Sequence, residues 1–275
     1  IGERMKHRFW SEYTARDFAQ LDHENLIAVL PVGAVEQHGP HLPLSVDQAI
    51  IDGLVASAVS RLPDDIPALF LPTMSIGKSN EHSEWLGTLT FSSQTLIAMW
   101  TEIGDCVAAA GVRKMVFLNS HGGQIAPMDI VVRDLRVKHK MLTVAANWFG
   151  MGMPDGVFSE AENRFGIHAG EMETSVMLAL HPEHVQMEYA RNFHPAIVNI
   201  ANENKHLGLS TAGKLGWQAQ DMNPAGACGN AAAASAEKGK QVIEYAADQL
   251  VKLFEEVHRM PLSFLDNAPD PDAFA

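Results

Sequence analysis

The sequence predicts an α/β protein of three layers, in which helices cover both faces of a mostly parallel central sheet. Four short apolar runs have the continuous hydrophobic character of strands buried on both faces. Longer segments with helical spacing lie between these runs, an alternation that is typical of parallel strand–helix units. A hydrophobic content of 47% over 275 residues is enough to form a sizeable core.

The predicted elements follow one another regularly in the first half of the chain. Strands are predicted at 26–32, 68–71, 114–118 and 141–146, and helices at 47–61, 93–110 and 124–138. The second half contains predicted helices at 169–180 and 232–258, the latter opening on an alanine-rich run. Residues 195–230 have no clear period, which favours a functional cover or a subunit contact over a simple linker. No linker or repeat divides the chain, so we expect one domain over residues 1–275.

Charge and composition exclude several classes of function. A net charge of −13 argues against a nucleic-acid partner, because the phosphate backbone would be repelled. No apolar run approaches the roughly 18 residues that a membrane-spanning helix needs. Cys106 and Cys228 are too few for a disulfide-stapled secreted framework, although one bridge between them stays open. The first residues lack the apolar stretch of a signal peptide, so a cytoplasmic location is expected.

Chemistry-bearing side chains follow two of the predicted strands. Glu36, His38 and Asp47 come after the first strand, and His121 comes directly after the third. If these strands are neighbours, both loops face the crevice beyond the carboxyl ends of the sheet. Imidazoles mixed with carboxylates suit Zn²⁺ or Mn²⁺ better than Ca²⁺ or Mg²⁺. Each residue alone could be a helix cap or a satisfied polar group, but four on converging loops favour a metal site.

Two further polar clusters accompany this one. His168 is predicted just ahead of a helix and Glu173 in its second turn, where a carboxylate close to a buried face needs a partner. Glu171, between them, is explained by the helix dipole alone. The segment 78–85, after the second strand, could line the same crevice or be an ordinary polar loop.

The first cluster and its surroundings resemble the signature of the creatininase family. The matching residues are Val32-Gly33-x-Val35-Glu36-Gln37-His38-Gly39-Pro40-His41-x-Pro43, followed by Asp47. The resemblance continues through Gly87-Thr88, Asn119-x-His121, His168-x-Gly170-x-x-Glu173-Thr174-Ser175 and 236–239, and so covers nearly the whole chain. It implies a creatininase-like fold and a metal-dependent amidohydrolase.

The resemblance also implies roles for individual residues. In that family two divalent ions, here Zn²⁺ and/or Mn²⁺ with Fe²⁺ as a further candidate, share a bridging aspartate. The implied ligands are Glu36 and His121 for one ion, His38 and Glu173 for the other, and Asp47 for both. His168 corresponds to a histidine credited with proton transfer. Residues expected on the substrate side are Ser79, His82, Gly123 and Trp148.

Two departures from the family bear on the substrate. Creatinine-hydrolysing members have a glutamate two residues after the strand-end histidine, where this chain has Gly123. That glutamate contributes to the first ion's site, so Gly123 is expected to weaken occupancy there or to leave the position to water or substrate. Those members also have a tryptophan four residues before the position of His168, where this chain has Arg164. We therefore expect a larger or anionic amide as substrate, with creatinine a poor one.

The sequence thus predicts hydrolysis of a C–N bond, other than a peptide bond, in a small amide, cyclic amides included, by water activated between two metal ions. One alternative is a single-metal formamide deformylase, favoured by Gly123. The other is a non-catalytic, metal-dependent binding or assembly subunit, against which the intact His168 and Glu173 count. Because members of the family tend to form hexamers, a homohexamer is expected.

Overall fold

Four parallel strands form the centre of the protein in this computed structural model, which describes residues 5–274. In the order in which they lie side by side, the strands are β2 (Ala68–Phe70), β1 (Ile27–Val32), β3 (Lys114–Asn119) and β4 (Leu142–Asn147). Strands β1 and β3 pair from Ile27 opposite Lys114 to Val32 opposite Asn119. Their carboxyl ends are therefore level, and the loops that follow them start side by side.

Helices cover both faces of this sheet, which confirms the predicted three-layer architecture. One face carries α2 (Val46–Val59), α6 (Glu171–Leu180) and α9 (Ala236–Arg259), and the other carries α3 (Ser93–Ala109) and α4 (Ile125–His139). Alternate side chains of β1 enter the two cores: Ile27 and Val29 pack on the first face, Ala28 and Leu30 on the second. A strand with apolar contacts on both sides has no polar alternation, which explains its continuous apolar sequence.

The remaining α-helices and strands are short. They are α1 (Ala15–Phe18), α5 (Glu160–Phe165), β5 (Asn192–Phe193), α7 (Ile197–Glu203), β6 (Leu207–Gly208), β7 (Gly213–Lys214), α8 (Ala219–Met222) and β8 (Gly229–Asn230). Five of them fall within 195–230, the segment for which the sequence shows no period. Its fold is therefore a series of helices of one or two turns and two-residue strands, all too short for a periodic pattern to reveal.

Two predicted helix starts are wrong. The run 231–233 forms a separate 3-10 turn, and α9 begins only after Ser235, whose side chain accepts the Lys238 N–H. A serine cap thus overrides the helical propensity of the alanines before it. Helix α6 begins at Glu171, so Glu173 lies in the first turn and not in the second.

The connections from β1 and β3 run over opposite faces of the sheet. Strand β1 leads through α2 to β2, and β3 leads through α4 to β4 on the other side. Such a reversal opens a crevice between the two strand ends, the usual ligand site of open parallel sheets. The predicted convergence of the two loops thus follows from the strand order.

Cys106 and Cys228 are both free thiols, so the disulfide left open by the sequence does not form. Within residues 5–274, no helix is both long enough and apolar enough to cross a bilayer.

Candidate metal centre

The four side chains predicted from the strand-end loops come together in the crevice. Glu36 and His38 follow β1, Asp47 is the second residue of α2, and His121 follows β3. All four are at least 96% buried. Helix α2 approaches β1 closely because Gly33 has no side chain: a Cβ there would lie 3.0 Å from the backbone N of Gln48. This close approach places Asp47 over the centre of the crevice.

His38 faces three carboxylates with an unprotonated nitrogen. Its Nδ1–H donates to the Glu36 carbonyl oxygen at 3.1 Å, so Nε2 carries a lone pair. Nε2 lies 3.8 Å from Asp47 Oδ1, 3.8 Å from Glu173 Oε2 and 3.9 Å from Glu36 Oε1. When two ligand atoms each lie about 2.1 Å from the same ion and form a tetrahedral angle at it, they are about 3.4 Å from each other. The separations are thus near those of ligands around a shared cation, and too long for hydrogen bonds.

His121 forms the other end of the centre. Its Nε2 lies 3.3 Å from Glu36 Oε2 and 3.4 Å from Glu81 Oε1, and its Nδ1 lies 3.5 Å from Asp47 Oδ2. Nε2 is also 2.9 Å from the Lys78 carbonyl oxygen. The two carboxylate oxygens of Asp47 therefore face two different histidines, one at each end.

Three buried polar atoms of the centre have no hydrogen-bond partner among the described residues. They are Glu36 Oε2, His38 Nε2 and Asp47 Oδ2. Such atoms are rare in folded proteins, because an unpaired buried polar group is costly. Divalent cations would satisfy all three at once, and the mixed nitrogen and oxygen donors suit borderline metals. The residues present therefore fit a divalent metal site with nitrogen and oxygen donors.

Burial disfavours the ionised form of the carboxylates at the centre when no cation is bound. Burial, and after it the nearby charge of Glu36, raises the pKa of Asp47 well above its usual range. Burial also raises the pKa of Glu173. For Glu36 burial acts in the same direction, but the charge of His121 outweighs it and holds the pKa well below its usual range. A divalent cation would favour the ionised form of all three carboxylates.

The histidines divide into neutral and charged ones. Burial, then the neighbouring His168, lowers the pKa of His38 well below its usual range, so this ring is neutral, as a metal ligand must be. Burial opposes a charge on His121 as well, but Glu36, Asp47 and Glu81 outweigh it and raise the pKa of this ring to about 10. Protonated His121 thus supplies positive charge that a cation would otherwise provide.

His168 stands at the side of the centre, just ahead of α6. Its Nε2–H donates to the Gln37 carbonyl oxygen at 2.8 Å, and its Nδ1 lies 3.8 Å from Glu36 Oε1. Ala169, with a left-handed φ of 51°, turns the chain so that its N–H donates to Glu173 Oε2 at 2.5 Å. The backbone therefore fixes one nitrogen of His168 and leaves the other facing the centre.

The four predicted substrate-side residues are placed differently. His82 and Gly123 line the cavity, and His82 Nε2 lies 3.4 Å from Glu36 Oε1. Burial, and then His168, lowers the pKa of His82 to about 3. Trp148 forms part of the wall but is only 1% exposed. Ser79 is fully buried behind the centre, with its Oγ 3.4 Å from His121 Nε2, and is not among the described residues that line the cavity.

A cavity of about 930 Å³ opens above the centre. One wall is the loop around Trp148 and 152–156, and a second consists of residues from the segment 195–230: Leu209, Ser210, Leu215, Gly216 and Trp217. Away from the centre, its lining carries the cationic Lys78 and Arg164 and the acidic Asp155 and Glu162. The segment without sequence periodicity therefore does lie against the site.

Two acidic residues near the centre have different roles. The sequence does not single out Glu81, and it leaves open whether the segment 78–85 lines the crevice, because a glutamate beside a histidine in a polar loop is too common a pattern to mark a ligand. Glu171 forms an ion pair with Lys238 and does not belong to the described cavity lining. It lies in the first turn of α6, where the helix dipole favours a carboxylate, as the sequence suggests.

The sequence profile of the creatininase family, described as creatinine amidohydrolase, matches residues 11–254. The chain belongs to the creatininase family. Among relatives of this creatininase-family protein, the mycofactocin precursor peptide peptidase of Mycobacterium tuberculosis (strain H37Rv) is 29% identical over 240 residues, 85% of this chain and 86% of that one. The creatinine amidohydrolase of Pseudomonas putida is 30% identical over 203 residues, 68% of this chain and 75% of that one.

The fold of this family member also matches solved structures. A creatininase in a manganese form superposes with a TM-score of 0.74 at 23% identity, over 93% of this chain and all of that one. This likeness confirms the creatininase-like fold that the sequence predicts.

Proposed function

We propose that this creatininase-family protein is a dinuclear metal-dependent amidohydrolase that cleaves a C–N bond with an activated water. The observation that supports this most directly is the position of Asp47, whose two oxygens face His38 and His121 at 3.8 and 3.5 Å. A buried carboxylate between two histidines from different strand ends is the arrangement of a bridging ligand. Glu36 and His121 would hold one ion, and His38 and Glu173 the other, with Zn²⁺, Mn²⁺ or Fe²⁺ as candidates.

When bound, two such ions would lower the pKa of a water molecule and polarise a carbonyl oxygen. The chain supplies the proton transfer. Because His168 Nε2–H is held by the Gln37 carbonyl, Nδ1 is the atom that can take up a proton on the cavity side and return it to a leaving nitrogen. His82 accepts a hydrogen bond from the Gln37 side chain at Nδ1, so its proton lies on Nε2, directed at the centre. Both rings are therefore oriented by one residue.

The cavity favours a substrate larger than creatinine. Its volume of about 930 Å³ is at the upper end of the range for small-molecule sites. The lining includes two cationic side chains, Arg164 and Lys78, beside the acidic Asp155 and Glu162, and an amide that carries a carboxylate or phosphate could pair with either cation. We propose such an anionic amide as the substrate class.

A peptide is a second candidate, which the sequence prediction of a non-peptide bond left out. Relatives that are similar over 85% of this chain are named as peptide peptidases. The roomy cavity would accept one end of a peptide, and Arg164 could bind its terminal carboxylate.

The test is a comparison of metal-free and metal-loaded protein. We expect the chelated protein to take up two Zn²⁺ or Mn²⁺ per chain and to become active against a panel of cyclic amides, formamides, ureides and short peptides. Activity that prefers anionic members supports the first candidate, and activity on peptides alone supports the second. Absence of stoichiometric metal binding would refute the dinuclear proposal, and two bound ions without turnover would favour a binding subunit.

A further inference from the structure

The position left open by Gly123 is filled by a side chain from another loop. An ideal Cβ on Gly123 would lie 1.8 Å from Glu81 Oε1 and 2.5 Å from His121 Nε2. No side chain at 123 could therefore coexist with Glu81 as it stands. The Glu81 carboxylate occupies the volume into which a residue two positions after His121 would project.

We propose that Glu81 is a metal ligand beside Glu36 and His121, and that it replaces the carboxylate that a glutamate at 123 would supply. This inference rests on the proposed dinuclear function. Glu36, Glu81 and His121 place ligand atoms within 4.8 Å of one another. Glu36 Oε2, on the same side of the centre, is one of the buried atoms without a hydrogen-bond partner among residues 5–274. An ion between these three groups would satisfy it.

The backbone around Glu81 holds it in this place. Glu81 lies in the 3-10 turn Asn80–His82, whose closing hydrogen bond runs from the His82 N–H to the Ser79 carbonyl at 3.0 Å. One residue earlier, the Lys78 carbonyl oxygen lies 2.9 Å from His121 Nε2. The side chain of Glu81 is only 13% exposed. It is therefore directed into the centre by a turn that is itself fixed to the strand-end histidine.

Charge balance gives an independent argument. With Glu81, four carboxylates surround the centre, the others being Glu36, Asp47 and Glu173. Two divalent cations bring four positive charges, so the loaded site with neutral histidines is neutral overall. With a neutral water molecule bound, the same site without Glu81 would hold one net positive charge among buried side chains, where an unbalanced charge is costly. Gly123 favours the single-metal alternative because it lacks a carboxylate. If Glu81 supplies that carboxylate, this reason no longer holds.

The experiment compares metal binding by four forms of the full chain, without reference to substrate. Chelated wild type, Glu81→Gln, the double variant Glu81→Ala/Gly123→Glu and the control Glu84→Gln, at an exposed position of the same segment, are titrated with Zn²⁺ and with Mn²⁺ by calorimetry. Bound metal is counted by elemental analysis, and folding is checked by circular dichroism.

We expect two ions in the wild type and in Glu84→Gln. Glu81→Gln should keep one ion and bind the second more than about 100-fold more weakly, beyond the roughly 10–100-fold effect of groups that only orient a ligand. The double variant should recover the second ion, with the His121 ring shifted slightly, because a Cβ at 123 would lie 2.5 Å from the present position of its Nε2. Two ions of unchanged affinity in Glu81→Gln would overturn the ligand role, and a folded double variant without the second ion would overturn the replacement. A wild type that binds no metal would refute the proposed function itself.

Discussion

Replacing Asp47 by alanine should separate the metal-binding role of this residue from any structural one. Asp47 is 2% exposed, and its two oxygens face the histidines at both ends of the centre. Removing it deletes one ligand from each proposed ion, so both ions should be lost together. If Asp47 served only to start α2, its loss would destabilise the protein whether or not metal is present.

The expected magnitude follows from binding linkage. A ligand at 100 times its Kd stabilises the folded state by about 2.7 kcal/mol, so two ions contribute about 5 kcal/mol. For a chain slightly longer than 250 residues, 1 kcal/mol changes Tm by about 2 °C, so metal should raise the Tm of the wild type by about 10 °C. Asp47→Ala should show almost none of this rise. Its metal-free form should be at least as stable as metal-free wild type, because burial and Glu36 already disfavour the charge of Asp47.

The assay is differential scanning calorimetry with and without Zn²⁺, together with elemental analysis and turnover. Asp52→Ala is the matched control, since Asp52 lies in the same helix but is exposed. Full metal content in Asp47→Ala, or a metal-dependent rise in Tm close to that of the wild type, would refute the bridging role.

Four further predictions concern other parts of the molecule. His168→Ala should keep both ions and lose about 10²–10⁴-fold in kcat; a parallel loss of metal on elemental analysis would instead make His168 a ligand. Arg164→Ala should raise KM about fivefold for anionic amides, equivalent to about 1 kcal/mol for an exposed charge pair, and leave KM for neutral amides unchanged; equal effects on both would contradict a role in charge recognition. Glu162→Ala leaves the N–H groups of Glu171 and Asn230 without their acceptor, so urea unfolding should show a loss of about 2–4 kcal/mol, against almost none for exposed Glu160→Ala. Light scattering should give six times the mass of one chain, and a monomeric mass would exclude the expected homohexamer.

The sequence predicts the sheet well because each of its strands has a continuous apolar stretch, interrupted in β3 and β4 only by Lys114, Asn119, Thr143 and Asn147. It predicts the convergence of Glu36 and His121 only on the condition that their strands are neighbours, and the pairing of Val32 with Asn119 meets that condition. Glu81 could not be predicted, because its position depends on a 3-10 turn and on the absence of a side chain at Gly123, 42 positions away in the sequence. The turn and the glycine affect the site only because folding places their two loops side by side.

The turn before α6 shows a second limit. Glycine is the residue that most readily takes a left-handed φ, yet Gly170 has an ordinary φ of −83° and Ala169 has the left-handed one. Local preference would reverse this choice, since a left-handed alanine costs about 1–2 kcal/mol. The hydrogen bond from Ala169 N–H to Glu173 accompanies that conformation. The left-handed φ of Ala169 thus occurs together with a hydrogen bond to Glu173 that exists only in the folded site.

The proposed metal ligands and the second wall of the cavity come from separate parts of the chain. The last of the proposed ligands in the sequence is Glu173, whereas that wall consists of residues from 209–217, which contribute no group to the centre. Loops tolerate insertion and replacement more readily than strand ends packed on both faces. A change in the loops at 209–217 would therefore alter which molecules fit the cavity and leave the proposed ligands in place.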